Sequence, residues 1–135
     1  MTNDRQKSEN FGCINCWPSD AELAWDKNKQ LPNSIDLIDE SHLHVLIRNC
    51  QKCQQHFLAV FTEMVDWADG EDPQHWLIVP LKEEEAESLL PKGQPLTEAK
   101  LQSFTLQRRC LHRDYPKGAE PSIYWGDHFY IGPHD

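Results

Sequence analysis

Four of the five cysteines in this 135-residue chain fall into two pairs with the same internal spacing, Cys13-Ile14-Asn15-Cys16 and Cys50-Gln51-Lys52-Cys53. Two residues between cysteines let a tight turn aim both thiolates at one ion, and two such turns complete a tetrahedral shell of the kind zinc prefers. A closed shell of four thiolates leaves no open coordination position, so such an ion stabilises the fold and does not activate water. His56, three residues after Cys53, and His42 and His44, on the approach to Cys50, are candidates to replace one sulfur. If the pairs do not meet in space, they are instead separate reduced or redox-active dithiols. Cys110 is left over; it reads first as a small packed side chain, and beside Arg108, Arg109 and His112 the less favoured alternative is a reactive thiol with a lowered pKa.

Other chemistry has little support. The six glycines, at 12, 70, 93, 118, 126 and 132, are never clustered, which excludes a phosphate-binding loop. There is no H-E-x-x-H, no zinc-deaminase pattern around Cys50 and no serine nucleophile elbow. Asp66, Asp69, Glu71 and Asp72 lack the alternating ligands of an EF-hand and read as a solvated turn.

Several elements must position the cysteines. Ser19-Asp20-Ala21-Glu22 has the form of a capping box, with Ser19 as the cap, opening a helix from about Asp20 to Lys29 whose Ala21, Ala24 and Trp25 share one face. Leu43 to Arg48 alternates as a strand leading to Cys50, Phe57 to Val65 is apolar on both faces as a central strand is, and Trp76 to Leu81 makes a third. The second cysteine pair therefore falls between two strands of an antiparallel meander. Lys82 to Leu90 predicts a short acidic helix. Thr97 is placed to cap a longer one reaching about His112, with Leu101, Phe104 and Leu111 as its buried stripe. Gly126-Asp127 is a two-residue hairpin signal between Ser122–Trp125 and His128–Ile131. The expected fold class is α+β: a small antiparallel sheet with two to three short helices, a mobile polar tail over residues 1–10 and one zinc-binding domain over 11–135.

The paired cysteines resemble those of zinc-ribbon proteins, in which two cysteine knuckles on hairpin-like turns clamp one ion. The resemblance covers Cys13-x-x-Cys16 and Cys50-x-x-Cys53 and implies a structural zinc held by those four residues. Two departures stand out. Neither pair has the usual Pro after its first Cys or Gly after its second, and the 33 residues from 17 to 49 exceed the roughly 15 to 20 of simple sites. An insertion containing a helix is the reading that accommodates them.

The chain carries 22 acidic and 13 basic residues, net charge -9, which repels phosphate backbones. The distribution is uneven: Lys100, Arg108, Arg109, Arg113 and Lys117 stand against Glu98 and Asp114 between Glu98 and Gly118. No secretory or membrane-spanning stretch occurs, so the expectation is a soluble cytoplasmic protein in which free thiols persist. A noncatalytic interaction or regulatory module fits this profile first, with a protein partner whose basic surface would suit the acidic one. A nucleic-acid-binding zinc-ribbon protein, and an enzyme using Cys110 with a nearby His, are the alternatives.

Overall fold

The computed structural model describes residues 11–134. Six strands, β1 (Asn33–Glu40), β2 (Leu43–Asn49), β3 (His56–Glu63), β4 (Gln74–Leu81), β5 (Cys110–Tyr115) and β6 (Ser122–Gly126), form one antiparallel sheet in chain order. Three short helices accompany them: α1 (Ala21–Asn28), α2 (Glu83–Leu89) and α3 (Glu98–Gln102). Sequential antiparallel strands need only short connections, so β2 to β4 follow from the alternation and turn residues.

Both faces of the sheet are covered. Val45, Ile47, Leu58, Val60, Leu77 and Val79 lie on one face under Ala86 and Leu89 of α2, Leu101 of α3, and Phe129 of the C-terminal segment. Leu46, Phe57, Ala59, Ile78 and Leu111 lie on the other under Cys16, Trp17, Ala24 and Trp25. We refer to these as the helical face and the cysteine face. The second layer explains why β3 is buried on both sides. It also shows why the N-terminal segment matters: removing it would bare Phe57, Ala59 and Ile78, at about 25 cal/mol per Å² of apolar surface.

Several expectations are corrected. The cap of α1 is Asp20, whose side chain accepts from the Leu23 amide at 2.9 Å; Ser19 instead offers its carbonyl to the Trp125 indole at 3.0 Å. The helix after Thr97 stops at Gln102, although Thr97 does cap it by accepting from the Lys100 amide. Residues 110–115 are strand β5, paired with β4 and β6, because Cys110 and His112 are needed on the helical face while Leu111 fills the cysteine face. Leu101 and Phe104 therefore share no stripe with Leu111. Of the expected last hairpin only Ser122–Gly126 is a strand, and its partner is β5; the chain after it crosses the helical face, where the Phe129 amide donates to the Leu106 carbonyl. β1 is an element the alternation does not announce. The expected tail over residues 1–10 lies outside the described residues. Among the described residues no helix is long and apolar enough to cross a membrane.

Candidate metal centre

The second cysteine pair sits on the turn from β2 to β3, as the alternation implies. Cys50 donates its amide to the Gln55 carbonyl at 2.9 Å, and the Gln54 amide returns to the Cys50 carbonyl at 2.7 Å. Gln54 takes a left-handed backbone, φ 67°, at the position after the second cysteine. This is where a zinc knuckle ordinarily has glycine, and the conformation is kept here without one. The first pair is not on a hairpin. It forms an isolated turn before α1, in which the Cys16 and Trp17 amides both donate to the Cys13 carbonyl, at 3.0 and 2.7 Å. Gly12 is required there: its φ is +72°, and a Cβ would lie 2.6 Å from Trp17 Cβ and 3.1 Å from Cys16 Sγ.

These turns bring Cys13, Cys16, Cys50 and Cys53 together, with all four sulfurs within 4.8 Å of one another. Sγ separations are 3.8 Å for Cys13–Cys16, 3.8 Å for Cys13–Cys50 and 3.7 Å for Cys16–Cys53. Cys16 and Cys50 are buried, Cys13 is half-buried and Cys53 is exposed. Four sulfurs at this spacing can hold a metal ion. Their electrostatics call for a cation. Burial pushes the Cys16 thiol up, and burial together with neighbouring sulfurs leaves Cys53 raised. Burial opposes ionisation of Cys50 too, but the amides of Cys53 and Lys52 and the neighbouring thiols bring it down to about 7. Burial thus opposes ionisation of Cys16 and Cys53, a cost that a cation at the centre would offset.

Polar side chains that the cysteine spacing does not point to hold the two turns in register. Gln55 accepts from the Gly12 amide at 3.0 Å and donates to the Leu81 carbonyl at 2.7 Å, joining both knuckles to β4. Buried Asn28, at the end of α1, donates to the Cys16 carbonyl at 3.3 Å and accepts from buried Arg48 at 3.3 Å. The Arg48 guanidinium lies 5.3 Å from the centroid of Trp76, and burial lowers its pKa. Arg108 makes two 2.7 Å hydrogen bonds to Glu85, donates to the Pro80 carbonyl at 2.9 Å and stacks on Phe11 beside the first knuckle.

The histidines expected as substitutes are engaged elsewhere. His56 pairs with Asn49 at 2.5 Å. His42 contacts Glu63 at 3.2 Å and His44 contacts Asp39 at 3.0 Å, at the far end of β2, about 20 Å from Cys50 at the usual rise per residue. Cys110 takes the packed reading and not the reactive one: on β5, fully buried, it gives its thiol hydrogen to the Arg108 carbonyl, and burial pushes its pKa up to about 12. A strand there also disperses the basic segment. Arg108 is paired with Glu85, Lys117 with Asp66 and Asp69, and Arg109 and Arg113 stack on Trp125 and Trp25. Comparison with known proteins finds no match to this chain: no protein-family model, no curated protein and no solved structure.

Proposed function

We propose that Cys13, Cys16, Cys50 and Cys53 bind one zinc ion as thiolates, and that the ion rivets the N-terminal layer to the sheet of a noncatalytic protein-interaction module. One observation carries the zinc reading. A regular tetrahedron with zinc–sulfur bonds of about 2.3 Å has sulfur–sulfur edges of about 3.8 Å. Three of the six sulfur pairs stand at 3.7 to 3.8 Å, at that edge length, and all six lie within 4.8 Å. When bound, the ion supplies the positive charge that four clustered thiolates need, and with four protein ligands it has no position for substrate. The residues around it act by position: Gln55 spans the knuckles, and Asn28 and Arg48 lock α1 over Trp76.

The interaction role rests on charge. Asp36, Asp39 and Glu40 are exposed along β1, whereas most cations of the 98–118 segment are paired or stacked. A partner with a basic surface suits this arrangement better than a nucleic-acid backbone does. Elemental analysis of protein purified without added metal tests the centre. One zinc per chain, absent from Cys50→Ser, is the expected result. Wild-type protein with no zinc, or with iron in its place, overturns the assignment. None of the four cysteines belongs to the helical-face core, so the variant should keep its sheet signature by circular dichroism while residues 11–31 become sensitive to protease.

A further inference from the structure

The two edges of the sheet are built differently. β1 carries the exposed acids Asp36, Asp39 and Glu40, and its pairing with β2 shifts register twice, between Asn33 and Ile35 and between Asp36 and Ile38. Bulges and charges of this kind blunt an edge against further pairing. β6 has neither: Ser122-Ile123-Tyr124-Trp125-Gly126 contains no charged residue, and its register with β5 runs unbroken from Cys110↔Gly126 to Asp114↔Ser122. Among the described residues no strand pairs with its outer side.

We propose that this edge binds the β6 strand of a second copy of the chain, antiparallel about a two-fold axis at Tyr124. Such a contact is self-complementary and closed, and it leaves only the blunted β1 edges at the ends of a continuous sheet. In that register Tyr124 faces its own counterpart on the helical face. On the cysteine face Ile123 of each copy faces Trp125 of the other, which extends the apolar row of Ile78, Leu111 and Trp125 across the axis.

Charge selects the same place. A copy carrying net charge -9 is repelled by the acidic β1 side, whereas β6 is flanked by Arg109, just before β5 and 4.0 Å from the Trp125 ring, and by Arg113 of β5 opposite Ile123. The exposed Asp127 carboxylates fall at opposite ends of the pairing, about 20 Å apart at the strand rise, so they do not oppose each other.

Sedimentation velocity on the full chain tests the pairing, from about 5 to about 200 µM because a five-residue ladder belongs to the small class of interfaces. The expected mass rises toward twice 15.7 kDa. Tyr124→Lys and Tyr124→Glu each place like charges across the axis and should stay monomeric. An equimolar mixture sets Lys opposite Glu and should recover the doubled mass, which controls for the lost packing of Tyr124 on His112. A monomeric wild type over the whole range, dimers in both single variants, or a mixture no heavier than its components overturns the proposal. If the variants do not fold, amide exchange of Ser122–Gly126 in the wild type decides: protection that grows with concentration supports the pairing, and unchanged protection refutes it.

Discussion

Acidification should destabilise this protein through a buried pair of histidines before its carboxylates titrate. His112 is only 2% exposed and lies between Tyr124 and Tyr130, with ring centroids 5.0 and 5.6 Å away. Its Nδ1 is 3.0 Å from Nε2 of His75, whose other nitrogen faces Asp114 at 3.6 Å. Burial lowers His112 from 6.5 to about 4, with His75 and His128 adding repulsion and Asp114 and Asp127 opposing it. Burial also lowers His75, against the pull of Asp114. The folded state therefore binds fewer protons than the unfolded chain, so the stability from neutral His112 is whole above pH 6.5 and is lost as the pH falls toward 4. Linkage over that interval removes about 2 kcal/mol by pH 5 and about 3 kcal/mol by pH 4. Glu85, which burial would raise but Arg108 holds below the carboxylate range, loses its contribution at lower pH. Urea unfolding followed by tryptophan fluorescence at pH 7.5, 6 and 5 reads the effect. In His112→Gln the pH dependence should flatten by about 2 kcal/mol over that interval, while proton-driven metal loss from the cysteines, common to both proteins, cancels. A His112 ring titrating near 6.5 by NMR, or an unchanged slope in the variant, would refute the reasoning.

Two substitutions test close backbone fits. A Cβ at Gly126 would run into Nε2 of His112 and stand 2.8 Å from its Cδ2, and the ring, held between two tyrosines, has little room to yield. Gly126→Ala should cost about 1 to 3 kcal/mol in urea unfolding, and adding His112→Ala should relieve part of the clash. At Gln54 the left-handed backbone costs about 1 kcal/mol for a residue with a Cβ, and the extra freedom of unfolded glycine offsets a similar amount. Gln54→Gly should thus stay within about 1 kcal/mol of wild type, whereas the β-branched Gln54→Val should lose more than that and weaken metal retention under competition with a chelator.

What could be read from the chain depended on how local its cause was. The cysteine pairs were legible because two intervening residues constrain a turn wherever it occurs, and β2, β3 and β4 because their side chains alternate, or are apolar throughout, over seven or eight residues. β1 was not legible. It is an edge strand whose exposed positions carry Asn33, Ser34, Asp36, Asp39 and Glu40, and its irregular register sets Leu37 and Ile38, consecutive residues, both into the core. The segment after Thr97 misled for the opposite reason: the cap is real and Leu101 is buried, but Leu111 lies on the far face of the sheet, so helical spacing joined residues that never meet. The same error underlay the alternative in which Cys110 is reactive. On a helix among arginines its thiol would have been exposed to positive charge; on a strand between β4 and β6 it is fully buried, and burial outweighs Arg108. The His75–His112 pair and the Gln55 bridge had no signal of their own, because each joins residues more than twenty positions apart through strand register. The cysteine centre shares that dependence. Spacing made each half visible, but only the packing of Trp17, Ala24 and Trp25 on the second face of the sheet brings residue 13 to residue 50. A metal held by these cysteines would therefore be coupled to the apolar layer: weakening either the ligands or the tryptophan packing should loosen the other.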